Sequence, residues 1–379
     1  MMLTPTGCQQ RRQRLLAALP KETEMVLIYD PQHLFYFANY VHSPFVFRSN
    51  DAGAVLAIDD NGKATLIADS MVKNFCDQAH VDEVIAPTWY DGKHSAPHRE
   101  ALLVISVLNF IKNVSAKRIG IELSQVPAGI LLGLSREKQL FSIDQAMPGI
   151  KRSKLPDEVD LLKRSMRAGE AGMAAGLNHI KPGMSELEIF FLVQNAAMAA
   201  SGGQAQVYGD FVTGPRTEEI GGPPSDRKVQ AGELVMIDFS TIIGQYRADF
   251  ANTHICAGKP SERQKDMYLA CMDAIAAGEK KLKAGVLAKD VDRAVRAVFE
   301  TKHLNEHFPH HVGHGIGLGH PEPPFLVPES NDTLVAGDVI TLEPGLYIKG
   351  NGGMRFERNY LITDMGYELL SHHKLTLEA

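Results

Sequence analysis

Cysteine is scarce in this sequence. There are four, Cys8, Cys76, Cys256 and Cys271, without paired spacing. That excludes a disulfide framework and a thiolate zinc site. Basic residues are outnumbered, 39 Lys and Arg against 45 Asp and Glu, for a formal net charge of −6. This balance offers no electrostatic footprint for nucleic acid. No apolar run reaches the roughly 20 residues of a membrane-crossing helix. The opening MMLTPTGCQQRRQRLLAALP has no apolar segment of the secretory kind. We therefore expect a reduced, cytoplasmic protein with neither nucleic-acid nor membrane partners.

What is present is enough apolar material for two domains: 379 residues, 44% of them hydrophobic. MVLIYD, GAVLAID, KATLIAD, DEVIAP and RIGIELS read as short strands, and EALLVISVLNFIKNV as a helix between two of them. They predict an α/β domain over residues 1–150. The charged, proline-bearing segment PGIKRSKLPDEVDLLKR then marks a boundary before a second domain over 151–379.

The second domain contains a two-fold repeat. Lys181-Pro182-Gly183 and Lys283-Ala284-Gly285 each separate two helical stretches. AGELVMID (231–238) is echoed by AGDVITLE (336–343), at lysine-to-acid intervals of 57 and 60 residues. A pseudo-symmetric domain with equivalent acids meeting at its axis is the simplest reading. Around the turn signal IIGQ, Asp238 and Asp249 are expected to face each other directly across a hairpin. Around KGNGG, Glu343 and Glu357 are expected to do the same. Paired carboxylates on apolar strands repel and are costly to desolvate, so two such pairs call for a divalent cation. Solvent-facing hairpin acids are the plain alternative. Six of the 15 histidines fall between His303 and His320. Gly313, Gly315 and Gly317 argue against a helix there, leaving a strand or loop whose glycines permit close approach to a ligand, so that this histidine stretch supplies a fifth ligand.

These motifs resemble the pita-bread metallohydrolases, the family of prolidase, aminopeptidase P, methionine aminopeptidase and creatinase. The segments concerned are IKPGMSE, AGELVMIDFSTIIGQYRADFANT, HHVGHGIG, ITLEPGLY and GGMRFERNYLITDMGYELLS. The resemblance implies a creatinase-like N-terminal α/β domain followed by an α+β pita-bread domain. It implies metal ligands at Asp238, Asp249, His314, Glu343 and Glu357, holding two divalent ions, manganese first, with cobalt, zinc or iron as alternatives. A metal-bound hydroxide would attack an amide carbonyl. Glu343 would double as proton acceptor, with His310 and Arg355 steadying the oxyanion or a substrate carboxylate. SPFVFRSND would place Phe47 and Arg48 near substrate in a homodimer.

The chain departs from the peptidase pattern twice. In TGPRTEEIGGPPSDR, Gly221 stands where family peptidases carry a histidine. Pro321 stands at the second such position, with His320 one residue early. On an extended strand that shift turns the side chain to the other face. His320 is therefore either a catalytic replacement or an exposed loop residue. Three functions follow: an Xaa-Pro dipeptidase or aminopeptidase P-like hydrolase; a metal-dependent lyase or C–N hydrolase of a small carboxylate; and, last, a non-catalytic binding protein.

Overall fold

The computed structural model describes residues 2–41, 53–93, 98–203 and 205–378. The chain divides into two compact units, Met1–Lys151 and Arg152–Ala379. In the first, runs of Val, Ile and Leu bury both faces of a mixed sheet. Its strands are β1 (Met25–Ile28), β2 (Val55–Asp59), β3 (Ala64–Ile67), β4 (Glu83–Ile85), β5 (Arg118–Ile121) and β6 (Gln139–Ser142), in the order β4-β3-β2-β1-β5-β6. The expected helix runs Arg99–Asn113 and buries Leu103, Val107 and Ile111, one face at intervals of four. The short β6 and the helices Pro5–Ala18 and Pro31–Ala38 add to the elements read from sequence.

The second unit is built twice over. Helices Pro156–His179 and Glu186–Ser201 flank the first lysine–glycine turn; Glu262–Glu279 and Ala288–Thr301 flank the second. Gly183 and Gly285 both take positive φ, 92° and 89°, a conformation that favours glycine. Their N–H groups donate to the carbonyls of Val229 and Leu334, each at 2.8 Å. Val229 and Leu334 return bonds to Met184 and Val286 at 2.9 and 2.8 Å. The two halves thus repeat down to individual backbone bonds.

The first half continues into an antiparallel sheet of β7 (Gln206–Thr213), β8 (Leu234–Ile243) and β9 (Tyr246–Ile255). The second forms β10 (Gly313–Gly315), β11 (Glu322–Leu326), β12 (Val339–Leu342), β13 (Gly345–Ile348), β14 (Gly352–Arg355), β15 (Arg358–Ile362) and β16 (Tyr367–Leu369). Strands β11-β10-β12-β15-β16 make one sheet and β13-β14 a separate ribbon. The helix Pro156–His179 lies close on β9. A Cβ at Gly169 would fall 2.0 Å from the ring of Phe250.

Candidate metal centre

The hairpin of β8 and β9 closes through only Gly244 and Gln245, both at positive φ (54° and 64°). A two-residue turn of this hand matches the twist of its strands. Ile243 therefore pairs with Tyr246, Asp238 with Ala251 and Asp249 with Ser240. The direct opposition of Asp238 and Asp249 expected from sequence is corrected by one step of the turn. Because strand side chains alternate, the acids still share a face, as diagonal neighbours. Ser240 Oγ donates to Asp249 Oδ1 at 3.0 Å.

In the second half Leu342 pairs with Arg358, closing one ladder, and Gly345 with Arg355, opening the next. The two ladders keep one register across the break, so Glu343 and Glu357 stay across from each other, as expected. Glu357 N donates to Ala251 O at 3.0 Å, and Glu343 N to Val312 O at 2.9 Å. Those two bonds carry the glutamates to the aspartates of β8 and β9 and to the histidine segment.

Among the described residues three groups of donor atoms result, each within 4.8 Å: Asp238, Asp249 and Glu357; His311, His314 and Glu343; Asp249, His314 and His320. Burial and the neighbouring carboxylates Asp249, Glu343 and Asp238 push the Glu357 carboxyl well above the usual range. Burial also pushes Asp238 up, to about 7, against the pull of Arg355. Glu343 is the contrast. Burial would raise it, but the His311 hydrogen bond and the charges of His314, His311 and Arg355 hold it below the usual carboxylate range. Among the described residues, Glu357 Oε1 is buried with no hydrogen-bond partner. Crowded buried carboxylates of this kind are relieved by a proton on one of them or, for all four at once, by a divalent cation. The residues present fit metal: Asp238, Asp249, Glu357, Glu343 and His314 would hold it.

Beside the acids runs a second network, of which sequence reading missed Tyr347. Arg355 Nε donates to Tyr347 Oη at 2.9 Å, and Tyr347 Oη lies 3.0 Å from His310 Nε2. His310 Nδ1 lies 2.8 Å from the carbonyl of His311. A carbonyl only accepts, so Nδ1 carries the proton and Nε2 accepts from the tyrosine. Burial and nearby Arg355 pull His310 down to about 4, leaving the ring neutral at pH 7. Arg355 also donates to Ile220 O at 2.7 Å and pairs with Asp238.

His311, next to the expected His310, was also passed over. Its Nε2 lies 3.2 Å from Glu343 Oε1, to which Thr341 Oγ1 donates at 3.0 Å. The spacing of three to His314 was its only signal. Gly221 now has a physical account. A Cβ there would fall 2.0 Å from Oδ2 of Asp210, which pairs with Asp238 across β7 and β8. The space next to this glycine is already taken by a carboxylate. His320 is on the site side: Nε2 lies 2.5 Å from Asp249 Oδ2. The alternation that would have turned it away does not apply, since β10 ends at Gly315 and the chain loops before β11. Phe47 and Arg48 lie outside the described residues.

The model of metallopeptidase family M24 matches residues 160–364, over half of the chain. The chain belongs to this family. In this M24 peptidase-family chain the Creatinase/Prolidase N-terminal domain also matches, over residues 11–148. An uncharacterized peptidase of Staphylococcus aureus strain RF122 is 26% identical over 368 residues, covering 93% of this chain and 96% of that protein. Another, from strain USA300, is 29% identical over 257 residues, 64% and 72% of the two chains. Among solved structures, the Xaa-Pro dipeptidase from Bacillus anthracis superposes with TM-score 0.84 at 23% identity, covering 98% of this chain and 99% of that one. The prolidase from Pyrococcus horikoshii OT3 gives 0.81 at 24% identity, covering 97% and 99%. At these identities the structures share the fold with this M24 member.

Proposed function

We propose that this protein hydrolyses short Xaa-Pro peptides, slowly, with two divalent ions, manganese foremost. The observation that carries the proposal is the convergence of Asp238, Asp249 and Glu357, whose Oε1 has no partner among the described residues, with His314 adjoining through Asp249 and Glu343 through His314. Divalent metal held there would polarise a substrate carbonyl and acidify a water. Glu343, kept ionised by His311, would accept a proton from the attacking water. Among the described residues three of the five Arg355 N–H groups hold Tyr347, Asp238 and Ile220, and the other two could meet a substrate oxygen. His310 Nε2 accepts from the Tyr347 hydroxyl and has no proton to give at neutral pH. We assign it to holding Tyr347 in place beside Arg355. His320 faces the same site from beside Asp249. Arg48 and Phe47 would contact the substrate's carboxylate end from the partner of a homodimer, which light scattering checks; a strict monomer at micromolar concentration would remove that part.

Slowness follows from the two absent histidines. Losing one donor to a developing oxyanion costs about 10²–10³ in rate. A panel of Xaa-Pro and Pro-Xaa peptides, with creatine, ectoine and dimethylsulfoniopropionate, assayed under Mn, Co, Zn and Fe, tests the proposal. Weak but metal-dependent cleavage of Xaa-Pro peptides is expected. The filled space at Gly221 favours a second reading, a lyase or C–N hydrolase of a small carboxylate, and turnover of a non-peptide alone would establish it. A binding protein stands last, because all five ligand positions are retained.

A further inference from the structure

The loop between β10 and β11 is firmly held. Gly317 N donates to Gly319 O at 3.3 Å, and Arg247 N to Gly317 O at 2.9 Å. Glu322 fastens the far end: Oε2 accepts from Gly319 N at 2.9 Å, and Oε1 from the buried Lys154 Nζ at 2.6 Å. A loop pinned at both ends has few ways to place its last side chain. It places the His320 ring edge-on to His314, centroids 4.9 Å apart and planes at 89°. His314 Nδ1 bonds the carbonyl of Gly315 at 3.0 Å, which leaves Nε2 for the acids. One donor atom each from Asp249, His314 and His320 lies within 4.8 Å of the others. Ligands held at about 2.0–2.2 Å by one ion are at most about 4.4 Å apart. The three therefore need only a small adjustment to share a cation.

We propose that His320 is a sixth protein ligand of the metal centre, completing with Asp249 and His314 a position with two imidazoles. This rests on the five-residue metal reading above. The competing role is a hydrogen bond from His320 to Asp249 Oδ2 that only orients the carboxylate. The two differ in what an ion at that position feels. A second imidazole biases the position toward zinc, iron or cobalt, while Asp238, Asp249 and Glu357 leave the other position all-oxygen and suited to manganese. The centre becomes chemically asymmetric, and the one-residue displacement of the histidine from the peptidase position is its cause.

Cobalt(II) alone is the probe. Chelator-stripped full-length protein is loaded with two equivalents, and imidazole ring protons shifted far downfield by direct coordination are counted by NMR. Two sets are expected in the wild type, one in His320→Ala and one in His320→Gln. Calorimetry should show at least a tenfold weaker affinity for one equivalent in both variants, with the other unchanged and circular dichroism unaltered. Affinity alone would not decide, since removing an orienting partner also costs about 10–100-fold; the proton count does. A single set in the wild type, unchanged in His320→Ala, overturns the proposal and leaves the five-residue centre intact. Failure of the wild type to bind cobalt at all overturns both.

Discussion

Asp249 belongs to two of the donor groups of the centre. Its Oδ1 accepts from Ser240, its Oδ2 meets His320, and its carbonyl accepts from Asn359. Replacing it by alanine should lower bound metal at least ~10-fold while sparing the fold, since ligand loss must exceed the 10–100-fold cost of losing an outer partner. Elemental analysis of protein purified without chelator measures this, and unchanged metal content would contradict the assignment. Position 221 gives a second test. Gly221→His forces a side chain against Asp210 and should cost about 1–3 kcal/mol in urea unfolding. In Gly221→His with Asp210→Ala most of that loss should return, because the two residues share one space. The four acids were legible as candidates because they stand in two pairs about turn signals on otherwise apolar strands, and the family resemblance adds His314; that these five hold metal remains the proposal. His311, Tyr347 and Asp210 were not. Each gains its place only through a cross-strand or cross-loop neighbour, which spacing along the chain does not reveal.

At the scale of elements, the repeat was legible and the register only half so. Matching lysine–glycine turns announced two equivalent helix pairs. The equal backbone bonds at Gly183 and Gly285 predict equal consequences. Alanine at either position, where φ is positive, should cost about 1 kcal/mol or more. The two losses, measured by urea midpoint, should agree; a loss at one site only would deny the equivalence. The second hairpin followed its turn midpoint because KGNGG left the register symmetric about Gly350. The first did not, because the choice of a two-residue Gly-Gln turn depends on strand twist, and a stretch such as TIIGQY permits either centre.

At the scale of the whole molecule, acid stability should be set in part by histidines buried away from the centre. Burial pulls His254 down to about 4 and, helped by Arg358, His373 to about 3. Below its ordinary value near 6.5 each takes a proton in the unfolded chain before it does in the folded one. Stability is thus full above pH 6.5 and is lost as pH falls toward 4, by up to about 3 kcal/mol for His254. His254→Gln should flatten that decline in urea unfolding of the metal-loaded protein at pH 7 and pH 5; an unaltered slope would count against the assignment. The doubled architecture has one further consequence. Its halves share a backbone plan but divide the donors unevenly: both aspartates lie before the exposed segment 257–259, while His314 and both glutamates lie after it. A chain severed there would yield one fragment with hard oxygen donors only and another with imidazole and glutamate. Neither holds the full set, so metal uptake would report fragment complementation, and the ion would serve as the assay of its own container.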